Sequence, residues 1–325
     1  MMRLAAFKKP VSRQVSKALD RFESSFLSVL DPASAEIAKP CLAAIKAGGK
    51  RLRPALVIIA AGLGNGVDES KLQTAGAAVE LVHLASLIHD DVLDGSKTRR
   101  GVSTINANYG HRRAILIGDY LFGLAFQLLA ACDDTALIAP LAEASVLLSR
   151  GELRQRQALR RLDQTFDEYL ERIYAKTAAL FVASCLMGAR IARLDGGAAS
   201  ALNAYAGGLG IAFQIYDDIL DFTGDEKVLG KPVGSDIREG TVTLPMIYAL
   251  ERDGAAVLAE AIVKPTDAAV ARAVSHVLAC GAINEAKDMA QEYVDKAQTA
   301  AALLPDCQAQ RDLVSLGNFV IDRYH

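Results

Sequence analysis

Asp90 and Asp94 stand four residues apart in the stretch Ile88-His-Asp-Asp-Val-Leu-Asp94, and Asp217 and Asp221 repeat that spacing in Ile215-Tyr-Asp-Asp-Ile-Leu-Asp221. On a helix this spacing stacks both carboxylates on one face. Stacked carboxylates repel, and each pair follows a long apolar stretch, toward the helix C-terminus that the macrodipole makes unfavourable for negative charge. Two clusters that break the same rule call for a compensating cation. A hard divalent ion with oxygen ligands fits, and Mg²⁺ commonly takes one or two carboxylates together with substrate phosphates. Asp91 and Asp218 add charge beside each pair.

The basic residues supply the complement. In Gly48-Gly-Lys-Arg-Leu-Arg-Pro54 two glycines precede three cations, and a proline suited to a first helical turn follows. Cations held at a helix start make an anion site, most simply for phosphate. Arg99-Arg100-Gly101 follows the first acidic cluster, and Lys176-Thr177 and Lys231 add further positive charge. Together these describe a pocket for a diphosphate gripped by metal and guanidinium. His83 falls on nearly the same helical face as Asp90. With no Cys or Asp at ligand spacing around it, it reads as a core histidine rather than a zinc ligand.

Helices must position these groups. Apolar residues recur at three- and four-residue spacing, as in Leu81, Leu84, Ala85 and Ile88, then Leu121, Leu124, Ala125 and Leu128. Breaks fall at 62–68, 95–104, 133–134, 195–197, 223–240 and 253–254. About ten helices in one all-α domain spanning residues 1–325 are expected. The repeated acidic motif suggests two helices on opposite sides of one cavity. Hydrophobic residues make up 51% of the 325 residues, which excludes disorder as the main state. A net charge of -2 gives no sign of nucleic-acid binding. Five scattered cysteines, with no CxxC, read as reduced thiols. The basic N-terminal stretch lacks the apolar core of a signal peptide. The longest charge-free run, Gly196 to Tyr216, holds five glycines, Asn203 and Gln214, and is expected as a buried helix rather than a membrane span.

In its motifs the chain resembles the trans-isoprenyl (polyprenyl) diphosphate synthases, of the long-chain type. The resemblance runs from about Gly48 to Pro245. It rests on GGKRLRP (48–54), DDxxD (90–94), RRG (99–101), GD (118–119), Gly151-Glu152 with Gln155, KTAxLF (176–181), FQxxDDxxD (213–221), GKPxGxD (230–236) and EGxxTLP (239–245). It implies a single large all-α domain around a deep central cavity, usually a homodimer in the cytoplasm. It implies Mg²⁺-dependent head-to-tail condensation of isopentenyl diphosphate onto an allylic diphosphate. By position, Lys50, Arg53, His83 and Arg100 would hold isopentenyl diphosphate. Arg99, Lys176, Thr177, Gln214 and Lys231 would face the allylic diphosphate. Asp90, Asp94 and Asp217 would ligate metal, with Asp221 nearby and acting through water. Thr241 departs from the pattern, since many relatives carry a lysine there as a further diphosphate contact. Gly95 stands where an acidic residue is frequent.

Ionisation of the allylic carbon–oxygen bond needs positive charge around the leaving diphosphate and a dry cavity for the cation. The glycine-rich loop 223–243 is expected to close over the diphosphate. Ala85 and Ser86 lie one turn before Asp90, where relatives with short products place Phe or Tyr. Small side chains there leave another turn open, roughly 5 Å, and imply a product of about C30 to C50 by the resemblance. A bulky residue lower down, such as Phe122 or Phe126, would give geranylgeranyl diphosphate instead. The competing readings are a terpene cyclase, which needs no isopentenyl site, and a non-catalytic subunit of a heteromeric synthase, which tends to lose an acidic cluster.

Overall fold

In a computed structural model, the described residues are 11–31, 33–224, 232–252 and 254–322. They form sixteen α-helices and one two-stranded hairpin, more helices than the periodicity suggests because several are short, one of them, Ser235–Glu239, within the 223–240 stretch read as a break. The expected breaks at 62–68 and 133–134 fall between helices, whereas at 195–197 only Asp195 does, because the next helix starts at Gly196. The chain divides into two compact units. The first comprises Met1–Ser145, Leu180–Asn203 and Ala300–Leu316, and the second Val146–Ala179, Ala204–Thr299 and Gly317–His325.

The first unit holds α1 (Arg13–Phe26), α2 (Ala35–Lys46), α3 (Leu52–Ala61) and α4 (Glu69–Leu93). After α4 come strands β1 (Thr98–Arg99) and β2 (Val102–Ser103), then α5 (Ile105–Tyr109) and α6 (His111–Ala130). Ser12 caps α1 and its side chain and backbone amide both bond to the Asp312 carboxylate, at 2.7 and 2.8 Å. Helix α3 is apolar on nearly every side and is buried along its length except at Arg53, as a central helix must be. Asp68 caps the N-terminus of α4 by accepting from the Lys71 amide. At the other end Asp94 is the C-cap, and Gly95 follows with φ of +64°. A glycine at that left-handed position ends the helix without Cβ strain, which gives the departure at residue 95 a backbone reason. Helix α6 is the one described helix long and apolar enough to cross a membrane. Its Ala114, Ile117, Gly118, Leu121 and Ala125 are buried, and a Cβ on Gly118 would collide with His89 of α4, so it packs as a core helix.

The second unit holds the C-terminal part of α7 (Ile138–Gln157), α8 (Phe166–Ile173), a π-helical turn (Tyr174–Ala178) and most of α10 (Gly196–Thr223). Helix α9 (Ala179–Ile191), which continues from the π turn, lies almost wholly in the first unit. The second unit continues with α11 (Ser235–Glu239), α12 (Leu244–Leu250), α13 (Ala255–Val263), α14 (Asp267–Ala279) and α15 (Ala282–Ala301). The last helix, α16 (Gln308–Asp322), ends the described chain. Thr165 starts α8 with a reciprocal capping box to Glu168. The charge-free run read as a buried helix is α10, and Tyr205 through Ala212 are all buried. All five cysteines are free thiols, as expected.

Candidate active site

In the first unit the GGKRLRP segment divides its three cations. Arg51 has a left-handed backbone, φ +48°, which turns its side chain inward. It is buried, pairs with Glu23 and with Glu80 at 2.7 Å, and stacks over Phe26. Burial works to lower its pKa, and Glu80 and Glu23 together raise it above the ordinary value. Arg51 is therefore a structural clamp, whereas Lys50 and Arg53 are both half-exposed. The Arg53 guanidinium lies over the Phe181 ring, 5.2 Å from its centroid.

The RRG motif is the turn of the hairpin. Arg99 pairs with Val102 across it, and Arg100 and Gly101 both have positive φ, +53° and +78°. This is the two-residue turn whose twist suits antiparallel strands, with glycine where φ must be positive. Arg99 donates to Asp91 at 2.8 Å, and Arg100 donates to the Gly48 carbonyl, tying hairpin to basic loop. Asp91 is buried, and burial pushes its pKa up despite Arg99. Asp90 is half-buried and Asp94 exposed. A cavity of about 430 Å³ beside α4, lined by Ala43, Leu84 and Ile88, reaches Arg99 and Arg100 at its polar end, but both guanidiniums are already engaged as described.

His83 collects the electrostatics of this face. Burial, then Arg53, Arg100, Arg99 and Arg51, hold its pKa well below 6.5, so the imidazole is neutral at neutral pH. Four guanidiniums around one neutral imidazole make an electropositive patch with a hydrogen-bonding centre. That environment, not visible in the sequence, turns a core histidine into a candidate phosphate contact. One turn on, Ala85 and Ser86 are buried, and the Ser86 hydroxyl donates to the His83 carbonyl at 2.8 Å.

In the second unit the π turn presents Lys176 and Thr177. The Ala179 amide donates to the Tyr174 carbonyl five residues back, a geometry that recurs at functional sites. Lys176 Nζ donates to Glu152 Oε2 at 2.7 Å, and Arg156 Nε donates to Glu152 Oε1 at 2.8 Å. Burial raises the Glu152 pKa, but Lys176 and Arg156 outweigh it and hold the carboxyl below its usual value. Gly151, next to Glu152, would place a Cβ 3.0 Å from Ala175, and Gly210 of α10 would place one 2.5 Å from the Ala178 backbone. Both glycines let a helix approach the turn closely. Thr177 donates to Gln214 Oε1 at 2.6 Å, Gln214 donates to Asp218 Oδ1 at 2.8 Å, and Tyr169 donates to Asp218 Oδ2 at 2.8 Å. Sequence reasoning assigned no role to Glu152, Tyr169 or Asp218. The Gly151-Glu152 pair and the place of Asp218 in the second acidic motif carried some signal, and Tyr169 carried none.

The two ends of the second acidic motif differ. Asp217 is half-buried, whereas Asp221 is 1% exposed. Asp221 accepts from the Ser235 hydroxyl at 2.5 Å and the Asp236 amide at 3.0 Å, and its carbonyl accepts from Gly234. Its carboxylate thus anchors the start of α11. Residues 225–231 of the expected closing loop, Lys231 among them, lie outside the described residues. The described part after them contains α11, and Thr241 follows that helix with its amide on the Asp236 carbonyl.

Among the described residues no three His, Cys, Asp or Glu side chains converge on one point. The donor set still suits a magnesium ion. Asp90 and Asp94 are hard oxygen donors one turn apart at a helix end, and Mg²⁺ completes its shell with phosphate oxygens and water rather than an all-protein cage.

Residues 34–279 match the model of the polyprenyl synthetase family. The chain is 36% identical to component 2 of the heptaprenyl diphosphate synthase of Geobacillus stearothermophilus over 320 residues, 98% of each chain. It is 36% identical to the octaprenyl diphosphate synthase of Haemophilus influenzae over 287 residues, 86% of each. A crystal structure of a polyprenyl synthase from Caulobacter crescentus, complexed with calcium and isoprenyl diphosphate, superposes with a TM-score of 0.92. Identity is 36%, covering 96% of this chain and 97% of that one. With that family match and that fold, the chain belongs to the polyprenyl synthetase family.

Proposed function

We propose that this chain is a trans-polyprenyl diphosphate synthase. It condenses isopentenyl diphosphate head to tail onto an allylic diphosphate such as farnesyl diphosphate, building a long all-trans product. The observation that carries this reading is the arrangement at the end of α4, where Asp90 and Asp94 are followed by the Arg99–Arg100 hairpin and Arg100 is tied to the basic loop at the Gly48 carbonyl. Lys50, Arg53, His83 and Arg100 hold isopentenyl diphosphate. Arg99, Lys176, Thr177 and Gln214 serve the allylic diphosphate, with Lys231 as a further contact.

Asp90 and Asp94 in the first unit and Asp217 in the second would each serve as a ligand for magnesium, which would supply the positive charge that a departing diphosphate requires. Asp221 works indirectly, by fixing the Ser235–Asp236 segment. Lys176 and Arg99 neutralise charge as it develops on the leaving oxygens while the allylic carbon–oxygen bond breaks. The isopentenyl double bond then forms the new carbon–carbon bond, and a proton passes to the released diphosphate. The buried stretch Leu81, Val82, Ala85 and Ile88 keeps water from the cation. The calcium and isoprenyl diphosphate in the Caulobacter structure are the same ligand classes, a hard divalent ion and a prenyl diphosphate.

We further propose that residues 1–325 act as one catalytic domain, in the cytoplasm and without a nucleic-acid partner. The exposed Ile115 and Leu116 of α6 support a homodimer. A second reading, that the chain works with a different polypeptide, draws on the relative named a component 2.

The test is to supply purified chain with farnesyl diphosphate, isopentenyl diphosphate and Mg²⁺ and read product mass. A C30 to C50 diphosphate supports the proposal. A C20 product makes it a geranylgeranyl diphosphate synthase, and a hydrocarbon made from farnesyl diphosphate alone overturns it in favour of a cyclase. Turnover only after adding a second protein favours the heteromeric reading. Chelation should abolish turnover, and Asp90→Ala and Asp217→Ala should each lower kcat by about 10²- to 10³-fold.

A further inference from the structure

We infer that Tyr169 and Asp218 are positioning residues for the turn that carries Lys176 and Thr177. The inference rests on the proposed role of that turn in holding the allylic diphosphate. Asp218 belongs to the second acidic motif, yet it is buried and both its oxygens are occupied within the second unit. An ionised carboxylate only accepts, so Tyr169 and Gln214 must both donate to it. This fixes the Gln214 amide: with its nitrogen on Asp218, its oxygen faces Thr177 and takes the hydroxyl proton. The orientation of Thr177 is thus decided two hydrogen bonds away, at a carboxylate that in this arrangement is an anchor rather than a metal ligand.

Tyr169 closes the other end of the chain. It is fully buried, with its hydroxyl on Asp218 and its ring under the Arg172 guanidinium, 5.4 Å from the centroid. Arg172 is itself buried and fixed, donating to Gln164 Oε1 and the Val242 carbonyl, each at 2.6 Å. Tyr169 lies in α8, which runs directly into the π turn. The turn is therefore held at its root by Tyr169 and along its flank by Gln214, both through Asp218. A π turn accommodates an extra residue in poor helical geometry and persists where surrounding contacts fix it.

Tyr169→Phe removes one hydroxyl and keeps the ring. The expected result is a three- to tenfold rise in KM for the allylic diphosphate, with KM for isopentenyl diphosphate unchanged within twofold. Asp218→Asn should act in the same direction, because an amide offers one acceptor oxygen in place of two and cannot accept from both Tyr169 and Gln214 as the carboxylate does. The double variant should be no worse than the poorer single one, since both break one chain. Should Tyr169→Phe not fold, Asp218→Asn carries the same test. A lowered melting temperature with both KM values unchanged, or an equal rise in both, overturns the inference. Lys176→Ala is the control. If it leaves the allylic KM unchanged, the role of the turn itself fails. If it raises that KM and Tyr169→Phe does not, only the positioning role fails.

Discussion

Lys176 Nζ sits 2.7 Å from Glu152 Oε2, and Arg156 holds the other oxygen of the same carboxylate. Glu152 thus holds two cations side by side and fixes the Lys176 side chain in place. Glu152→Ala leaves Lys176 and Arg156 uncompensated and should lower stability by about 1–3 kcal/mol. The pH dependence has a defined sign. The folded pKa of Glu152 lies below its ordinary 4.5, so its stabilisation is present above that value and is lost as pH falls through the folded pKa. Thermal melts at pH 7 should separate parent and variant, and melts at strongly acid pH should bring them together. Equal melting at pH 7 would show that the pair contributes nothing.

His83 gives the opposite kind of test. Its folded pKa is far below the 6.5 of a free imidazole. Between those two values the unfolded chain binds the extra proton and the folded one does not, so stability falls as pH drops below about 6.5. The slope from this group reaches at most about 1.4 kcal/mol per pH unit. His83→Gln, which keeps hydrogen-bonding capacity without a titration, should lose less stability than the parent between pH 7 and pH 5. Parallel denaturation curves across that range would contradict the electropositive surroundings assigned to His83.

Gly210 should tolerate no side chain. A Cβ there would lie 2.5 Å from Ala178 Cα, and backbone at the π turn yields less easily than a flexible side chain. Gly210→Ala should cost about 1–3 kcal/mol from overpacking. Because the strain falls on the residue after Thr177, turnover should fall as well. A variant as stable and as active as the parent would mean that the turn is not held by this approach.

Legibility in the sequence followed the range of each interaction. Asp90 with Asp94 and the helical period depend on neighbours within a turn or two, and the structure has them where spacing puts them. Arg100-Gly101 lacks the Asn-Gly or Asp-Gly pairing that marks a tight hairpin turn, so the sequence shows only charge and a break where the structure has a hairpin with positive φ at both residues. Arg51 and Arg53 look equivalent in sequence, and in the structure Arg51, with a left-handed backbone, pairs with Glu80 while Arg53 lies over the Phe181 ring. The π turn interrupts no apolar period, so nothing in KTAxLF betrays it. Tyr169 and Asp218 are 49 residues apart, and their contact exists only once α8 and α10 have packed.

Chain length is the property that Ser86 should control. Ser86 is 8% exposed, and its hydroxyl is turned back onto the His83 carbonyl of its own helix. It therefore projects almost no volume beyond the helix surface, and Ala85 beside it is fully buried. A phenylalanine at 86 cannot make that bond and must extend away from α4 over the preceding turn. One turn is roughly 5 Å, on the order of one five-carbon unit of an extended prenyl chain. Ser86→Phe should thus shorten the principal product by one or more units while the first condensation proceeds at near the parental rate, because Asp90, Asp94 and the guanidiniums around His83 are untouched. Mass analysis of products at full conversion, beside the initial rate with farnesyl diphosphate, separates the two effects. A shortened product at a preserved initial rate places the ruler on α4. An unchanged product length removes Ser86 from that role and moves the limit to a bulkier residue on another helix.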